Sequence, residues 1–179
     1  MDRDSLQLPE FETLQLTPSM LRDLRSDHAG ETGAVYIYHG ILQQSHDPEI
    51  VTFARAHLAT EAAHLELLHN WLPPSCRSRL LPLWRFSGWL LGTLSAKAGR
   101  ATTFATIAAV EQFVVVHYQA QIDKSAGSLR ALLITLQRDE AAHRDDATRR
   151  LPSTPLWRNL WTRVIHGGSA AAVSLARWL

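Results

Sequence analysis

Six residues have the types and spacing of a metal site. Glu31 stands alone in "DHAGETGAVYIY". Glu61 and His64 share "TEAAHLELL". Glu111 stands alone in "AVEQFVVVHYQAQ", and Glu140 and His143 share "RDEAAHRDD". The pattern repeats: Glu61 lies 30 residues after Glu31, and Glu140 lies 29 after Glu111. The chain therefore carries two copies of a Glu followed by Glu-x-x-His. Residues i and i+3 of a helix share one face about a turn apart, so a Glu and a His so placed reach one ion. Two such pairs and two single acids supply four carboxylates and two imidazoles, enough for two divalent ions with carboxylates bridging them. The ions in turn offset a carboxylate charge that an apolar core would otherwise reject. Oxygen donors with imidazole suit iron or manganese, and a thiolate zinc site is excluded because the chain has one cysteine, Cys76.

One Glu-x-x-His on a helix is ordinary on a solvated face; the second copy, again behind an inward Glu, is what points to metal. Apolar residues share the face of each acid: Leu58, Leu65 and Leu68 around Glu61; Phe104, Ile107, Val114, Val115 and Tyr118 around Glu111; Leu132, Leu133 and Leu136 around Glu140. His28, His39, His57, His69 and His117 lack such framing and are expected at the surface or core edge. Asp27, four residues before Glu31, is placed to hydrogen-bond a ligating imidazole. Asp139 and Asp145 are expected to be exposed.

These side chains converge only if four long helices carry them. No alternation of β type persists anywhere, so the expected class is all-α. The helices are predicted over about 18–45, 48–71, 102–126 and 128–150, within one domain spanning 1–179. Thr17-Pro18 and Asp47-Pro48 read as caps followed by a first-turn proline. Very short connections make each successive pair an antiparallel hairpin of a four-helix bundle. An apolar crossover helix is predicted over 80–98, and 155–179 reads as one broken helix or two short ones. A net charge of +1 implies no polyanion, and hence no nucleic acid, as partner. The single cysteine suits a reducing compartment. The first residues carry no apolar segment of a signal peptide, and the apolar runs fall short of the ~20 residues a membrane span needs.

In this order, "DHAGETGAVYIY", "TEAAHLELL", "AVEQFVVVHYQAQI" and "RDEAAHRDD" resemble the demethoxyubiquinone hydroxylases of ubiquinone biosynthesis. The connection "PLWRFSGWLLGTLSAKAG" and the C-terminal "SLARWL" extend the resemblance over nearly the whole chain from about Leu21. It implies a ferritin-like bundle holding two irons on Glu31, Glu61, His64, Glu111, Glu140 and His143. It also implies that His117 and Tyr118 help deliver electrons or protons. The implied reaction is O2-dependent hydroxylation of the ring of a demethoxy polyprenyl quinone or quinol, with an external electron donor, by a homo-oligomer or a larger biosynthetic complex. Thr32 stands where many relatives carry tyrosine or another bulky residue, and Ala62, Ala63, Ala141 and Ala142 replace charged residues often found inside the two motifs. The alternative for the same ligands is an iron-handling or peroxide-reducing protein of ferritin type.

A polyprenyl substrate lives in a bilayer, so a peripheral enzyme on the cytoplasmic face of a bacterial inner membrane is expected. Trp84, Trp89, Leu83, Leu90 and Leu91, with Arg85, Lys97 and Arg100 at their margins, suit a helix lying in the interface, with a substrate channel opening near residues 84–94. Trp157, Trp161 and Trp178 with Arg158, Arg163 and Arg177 suit a second.

Overall fold

A computed structural model of the chain describes residues 8–151 and 157–179, and these form helices without strands. Six α-helices follow in order: α1 Pro18–Gln44, α2 Pro48–Trp71, α3 Leu81–Lys97, α4 Arg100–Ile122, α5 Gly127–Arg149 and α6 Trp157–Ala176. The predicted start of the last helical segment, at 155, lies outside the described residues.

The local chemistry of the helix starts is as expected. Thr17 accepts a hydrogen bond from the Met20 amide at 3.3 Å, and Asp47 accepts one from the Glu49 amide at 2.8 Å. Each satisfies an amide that the first turn would otherwise leave bare, and the proline that follows has no such amide to lose. Helix α4 ends at Ile122 instead of reaching 126. The Lys124 and Ser125 amides bond to Gln121 and Ile122, tightening the last turn, and the Ser125 hydroxyl caps the Gln121 carbonyl at 2.8 Å. Helix α6 is continuous, correcting the expected break: Gly167 and Gly168 lie within it in ordinary helical geometry.

Helices α1, α2, α4 and α5 form the bundle, and their inward residues divide into two apolar clusters. One holds Ile37, Tyr38, Ile41, Phe53, Phe104, Ile107 and Ala147. The other holds Leu24, Leu68, Tyr118, Ile122, Leu129, Leu132, Leu133 and Leu136. Each of the four helices contributes to both clusters, and its acid lies between its two contributions: Glu31 between Leu24 and Ile37, Glu61 between Phe53 and Leu68, Glu111 between Ile107 and Tyr118, Glu140 between Leu136 and Ala147. The acids therefore form a polar layer closed off by hydrocarbon at both ends.

Helix α3 lies across α1 at unusually close range. A Cβ added to Gly88 would stand 2.2 Å from the Gly33 carbonyl oxygen, and one added to Gly92 would stand 1.9 Å from that of Ile37. Two glycines four apart let the backbones touch along one face of α3. The same helix leaves Leu83, Phe86, Leu90 and Leu94 exposed on its other side. Trp84, expected at the outer face, is buried and donates its indole N–H to the Ser78 hydroxyl at 2.8 Å. Leu91 is half-buried, and Arg100 pairs with Glu49 on α2. On α6, Trp161 donates to the Thr106 hydroxyl at 2.9 Å, while Trp157, Leu160 and Val164 remain exposed.

Gly92→Val should cost about 3 kcal/mol of stability, because no side-chain rotation relieves a clash with backbone. Gly167→Ala, where nothing lies within 4 Å of an added Cβ, should be neutral or stabilise by about 0.5–1 kcal/mol. Chemical denaturation of the two variants measures both.

Candidate metal centre

The six predicted residues meet inside the bundle, each no more than 4% exposed. Their donor atoms form two overlapping quartets. One is Glu31, Glu61, His64 and Glu140; the other is Glu61, Glu111, Glu140 and His143. Within each quartet the donor atoms lie within 4.8 Å of one another. Glu61 and Glu140 belong to both quartets, so they sit where bridging carboxylates would. Glu31 with His64, and Glu111 with His143, would terminate one ion each. Each terminal pair draws its Glu from one half of the internal repeat or the other, and its His from the same half.

Unmade hydrogen bonds cluster on these same groups. Glu31 Oε2, both oxygens of Glu61, His64 Nδ1, Glu140 Oε1 and His143 Nδ1 are buried without a hydrogen-bond partner. Buried polar atoms are rarely left so, and six of the nine such side-chain atoms among the described residues belong to the proposed donors. His143 Nδ1 comes within 2.7 Å of Glu61 Oε1, and His64 Nδ1 within 3.0 Å of Glu140 Oε1, in both cases without hydrogen-bond geometry. Lone pairs aimed at a common centre give this arrangement. The donor set fits divalent ions.

Surrounding groups hold the donors in place. Tyr118 donates to Glu31 Oε1 at 2.7 Å, and Tyr38 donates to Glu111 Oε1 at 3.2 Å. Each tyrosine lies seven residues past the acid on its own helix and bonds the acid on the other helix. Tyr38 is a site residue that sequence reasoning missed, although its offset from Glu31 repeats that of Tyr118 from Glu111. Asp139, expected to be exposed, is half-buried, and its Oδ2 faces His64 Nε2 at 3.1 Å, orienting the ring so that Nδ1 points inward. His57, expected at the periphery, packs edge-on against the His143 ring at 4.2 Å and meets Asp146 at 3.0 Å. His28 is fully buried, with Nε2 at 3.2 Å from His69 Nδ1. Asp27 does not reach a ligating imidazole. Its Oδ1 faces His117 Nε2 at 3.1 Å and accepts from Gln121 at 2.8 Å. His117 itself stands outside the two quartets.

The charges of these groups disfavour one another in a way that bound cations would relieve. Burial raises Glu61 and Glu111 well above the ordinary carboxylate range, and neighbouring carboxylates push them further. Burial and the charges of Glu61 and Glu31 push Glu140 up to about 8. Burial also acts upward on Glu31, but the His64 bond and charge and the Tyr118 hydroxyl outweigh it and draw the group down. Burial and the nearby His57 and His64 push His143 down to about 3. Burial raises both Tyr38 and Tyr118 well above their ordinary value, so they remain donors.

A cavity of about 370 Å³ opens from this layer. Its inner end is Glu31, Glu61, Glu111 and Glu140; its walls come from α1, α3, α4 and α6; its exposed rim includes Gly30, Ser87 and Gly168. Small residues such as Gly33, Ala34, Gly88 and Ala172 make the space, and Trp84, Leu91, Val110 and Phe113 make it apolar.

Four helices turning acids and histidines into one buried layer define a ferritin-like helical bundle whose centre can hold metal. The chain belongs to the family described as ubiquinone biosynthesis protein COQ7, whose model matches residues 19–176. It is 33% identical over 175 residues to the 3-demethoxyubiquinol 3-hydroxylase of Rhodospirillum rubrum, covering 91% of this chain and 79% of that one. It is 29% identical over 163 residues to the mitochondrial NADPH-dependent 3-demethoxyubiquinone 3-hydroxylase of Rattus norvegicus, covering 86% and 75%. The 3-demethoxyubiquinol 3-hydroxylase of Paracidovorax citrulli is 30% identical over 155 residues, covering 78% and 71%.

The acids set a pH-dependent cost in the metal-free protein. A buried acid with a raised pKa holds its proton more readily folded than unfolded. Its neutral form stabilises fully below the unfolded value, and that contribution is lost as pH rises toward the folded value. Glu61→Gln should therefore match the metal-free wild type near pH 4.5, the ordinary value for this group, and become increasingly more stable than it as pH rises. Denaturant midpoints across that range measure the difference.

Proposed function

We propose that the chain is an O2-dependent monooxygenase that hydroxylates the ring of a demethoxy polyprenyl quinol in ubiquinone biosynthesis, with two irons held by Glu31, Glu61, His64, Glu111, Glu140 and His143. The observation that carries this reading is the opening of two overlapping donor quartets, sharing Glu61 and Glu140, directly onto an apolar cavity. The relatives' names supply the reaction and the substrate class. A protein that only stores iron or consumes peroxide has no use for such a cavity, whose volume falls within the ~300–1,000 Å³ of small-molecule sites.

The irons, when bound, would supply the electrons and open positions that O2 chemistry needs. The protein does the rest. The two apolar clusters exclude water from the carboxylate layer, which strengthens every charge interaction inside it. Tyr38 and Tyr118 fix the free oxygens of the terminal carboxylates, and Asp139 fixes the His64 ring. Val110, Phe113 and Leu91 confine a flat ring against the inner end of the cavity, while its tail leaves through the rim between α3 and α6.

The tail directs the protein to a bilayer surface. No helix among the described residues is long and apolar enough to cross a membrane. Two helices that flank the cavity nevertheless carry exposed apolar stripes: Leu83, Phe86, Leu90 and Leu94 on α3, and Trp157, Leu160 and Val164 on α6. Helices of this kind lie in the interface with their apolar side in the headgroup region.

Glu111→Ala and His143→Ala should each abolish loading of two irons and ring hydroxylation while leaving the helical circular dichroism intact. Asp139→Ala should keep the fold and weaken iron affinity about 10–100-fold. Phe86→Asp combined with Leu90→Asp should cut sedimentation with phospholipid vesicles and leave iron content unchanged. The decisive assay supplies the reduced protein with a demethoxyquinol and O2 and weighs the product; a ring one oxygen heavier is expected, and an unchanged ring would refute the reading.

A further inference from the structure

Charge is divided unevenly over the molecule. Residues 67–110 and 147–179 hold ten of the 18 Lys and Arg and none of the 17 Asp and Glu. The fold brings these two stretches together. Helices α3 and α6 both pack on α1 and α4, and Leu81 and Trp84 of α3 meet Ala172 and Ala176 of α6. Helices α1 and α4 add no exposed acid to this side, because Asp23, Asp27, Glu31 and Glu111 are all buried. Among the described residues, the acids that reach solvent lie on α2 or α5, in a turn bordering one of them, or in the segment before α1. That segment is tied to α2, where Trp71 donates its indole N–H to the Pro9 carbonyl. On the α3 and α6 side, Arg79, Arg85, Lys97, Arg158 and Arg163 are exposed or half-buried, and among the described residues no carboxylate pairs with them.

The mouth of the cavity opens on this same side. Its rim residue Ser87 shares a face of α3 with the exposed Leu83, Leu90 and Leu94. Its rim residue Gly168 lies one turn past the exposed Val164 on α6. We infer that this side docks on the anionic surface of a phospholipid bilayer, with the mouth against the lipid. Fixed cations near such a surface are drawn to acidic headgroups. The apolar residues enter the headgroup region while the long basic side chains reach back to the phosphates. The acids of α2 and α5 are turned away from the lipid, so the same field that attracts the protein also orients it. The inference rests on the function proposed above for what passes through the mouth, and adds to it a lipid class and an orientation. An acidic soluble protein would match the charge but would leave the apolar rim, and the way out for the tail, facing water.

The test is sedimentation of the iron-loaded protein with vesicles of phosphatidylcholine alone, and with vesicles in which phosphatidylglycerol replaces part of it. Wild type should bind the mixed vesicles at least ~10-fold tighter at about 0.05 M salt, and screening should close the gap to within about 2-fold at about 0.5 M. Arg85→Glu, Lys97→Glu and Arg163→Glu together should bring the two vesicles to within about 2-fold at low salt, with iron content and helical circular dichroism unchanged. Arg55→Glu, Arg130→Glu and Arg138→Glu, at exposed positions of α2 and α5, lower the net charge equally and should leave the preference in place. Equal binding of the two vesicles by wild type at low salt overturns the inference. Loss of the preference in the α2 and α5 variant overturns it too, because net charge and not this face would then decide. Binding to neither vesicle also overturns it and passes the face to an acidic protein partner. Hydroxylation of a short-tailed demethoxyquinol in free solution reports on the proposed function separately. Turnover without the lipid preference removes the docking alone, and the preference without turnover leaves the docking standing while the proposed function falls.

Discussion

Four carboxylates packed into one layer of an apolar core set the terms for the rest of the structure. Glu31, Glu61, Glu111 and Glu140 are each at most 4% exposed, and among the described residues no lysine or arginine is buried with them. Mutual repulsion and burial both disfavour their charged forms. Such a layer persists in a folded protein when cations neutralise it, and the orphaned donor atoms mark where those cations would sit. The apolar clusters on either side depend on the same geometry. They bring four helices to one register, and that register places Glu61 and Glu140, from opposite halves of an internal repeat, in both quartets.

The supporting contacts follow from this need. Each terminal acid receives a tyrosine hydroxyl from the other half of the bundle, so Tyr38 and Tyr118 tie α1 to α4 in both directions. His64 receives Asp139 on its outer nitrogen. Access is provided elsewhere, by small residues. The close crossing of α3 over α1 at Gly88 and Gly92 fixes one wall of the cavity, and Gly168, Ala172 and Ala176 of α6 shape another. Helix α6 is moored by Arg177, whose guanidinium meets Asp23 and Ser19 on α1.

The helices and the six converging acids and histidines were legible in the sequence because both rest on local spacing. Pro18 and Pro48 behind their caps, and Glu-x-x-His twice at matching distances, are statements about one helix at a time. What was not legible depends on contacts between helices. Trp84 reads as an interfacial tryptophan until α3 is seen turning it inward toward Ser78. The glycines that force this orientation are visible as Gly88-x-x-x-Gly92, but their partner backbone, Gly33 and Ile37, is named only by the fold. Asp139 beside Glu140 looked like solvated surface because the His64 ring it faces comes from another helix. Asp27 was expected to meet a ligating histidine and meets His117 instead, a distinction of one helical face. Tyr38 could have been found, since its offset from Glu31 matches that of Tyr118 from Glu111.

Mössbauer spectroscopy of the protein loaded with iron-57 tests the paired centre most directly. Two irons bridged by Glu61 and Glu140 should be spin-coupled, giving in the oxidised state a diamagnetic spectrum that accounts for two irons per chain. Magnetically split signals from isolated ferric ions, or loading that saturates at one iron, would contradict a centre built on shared carboxylates.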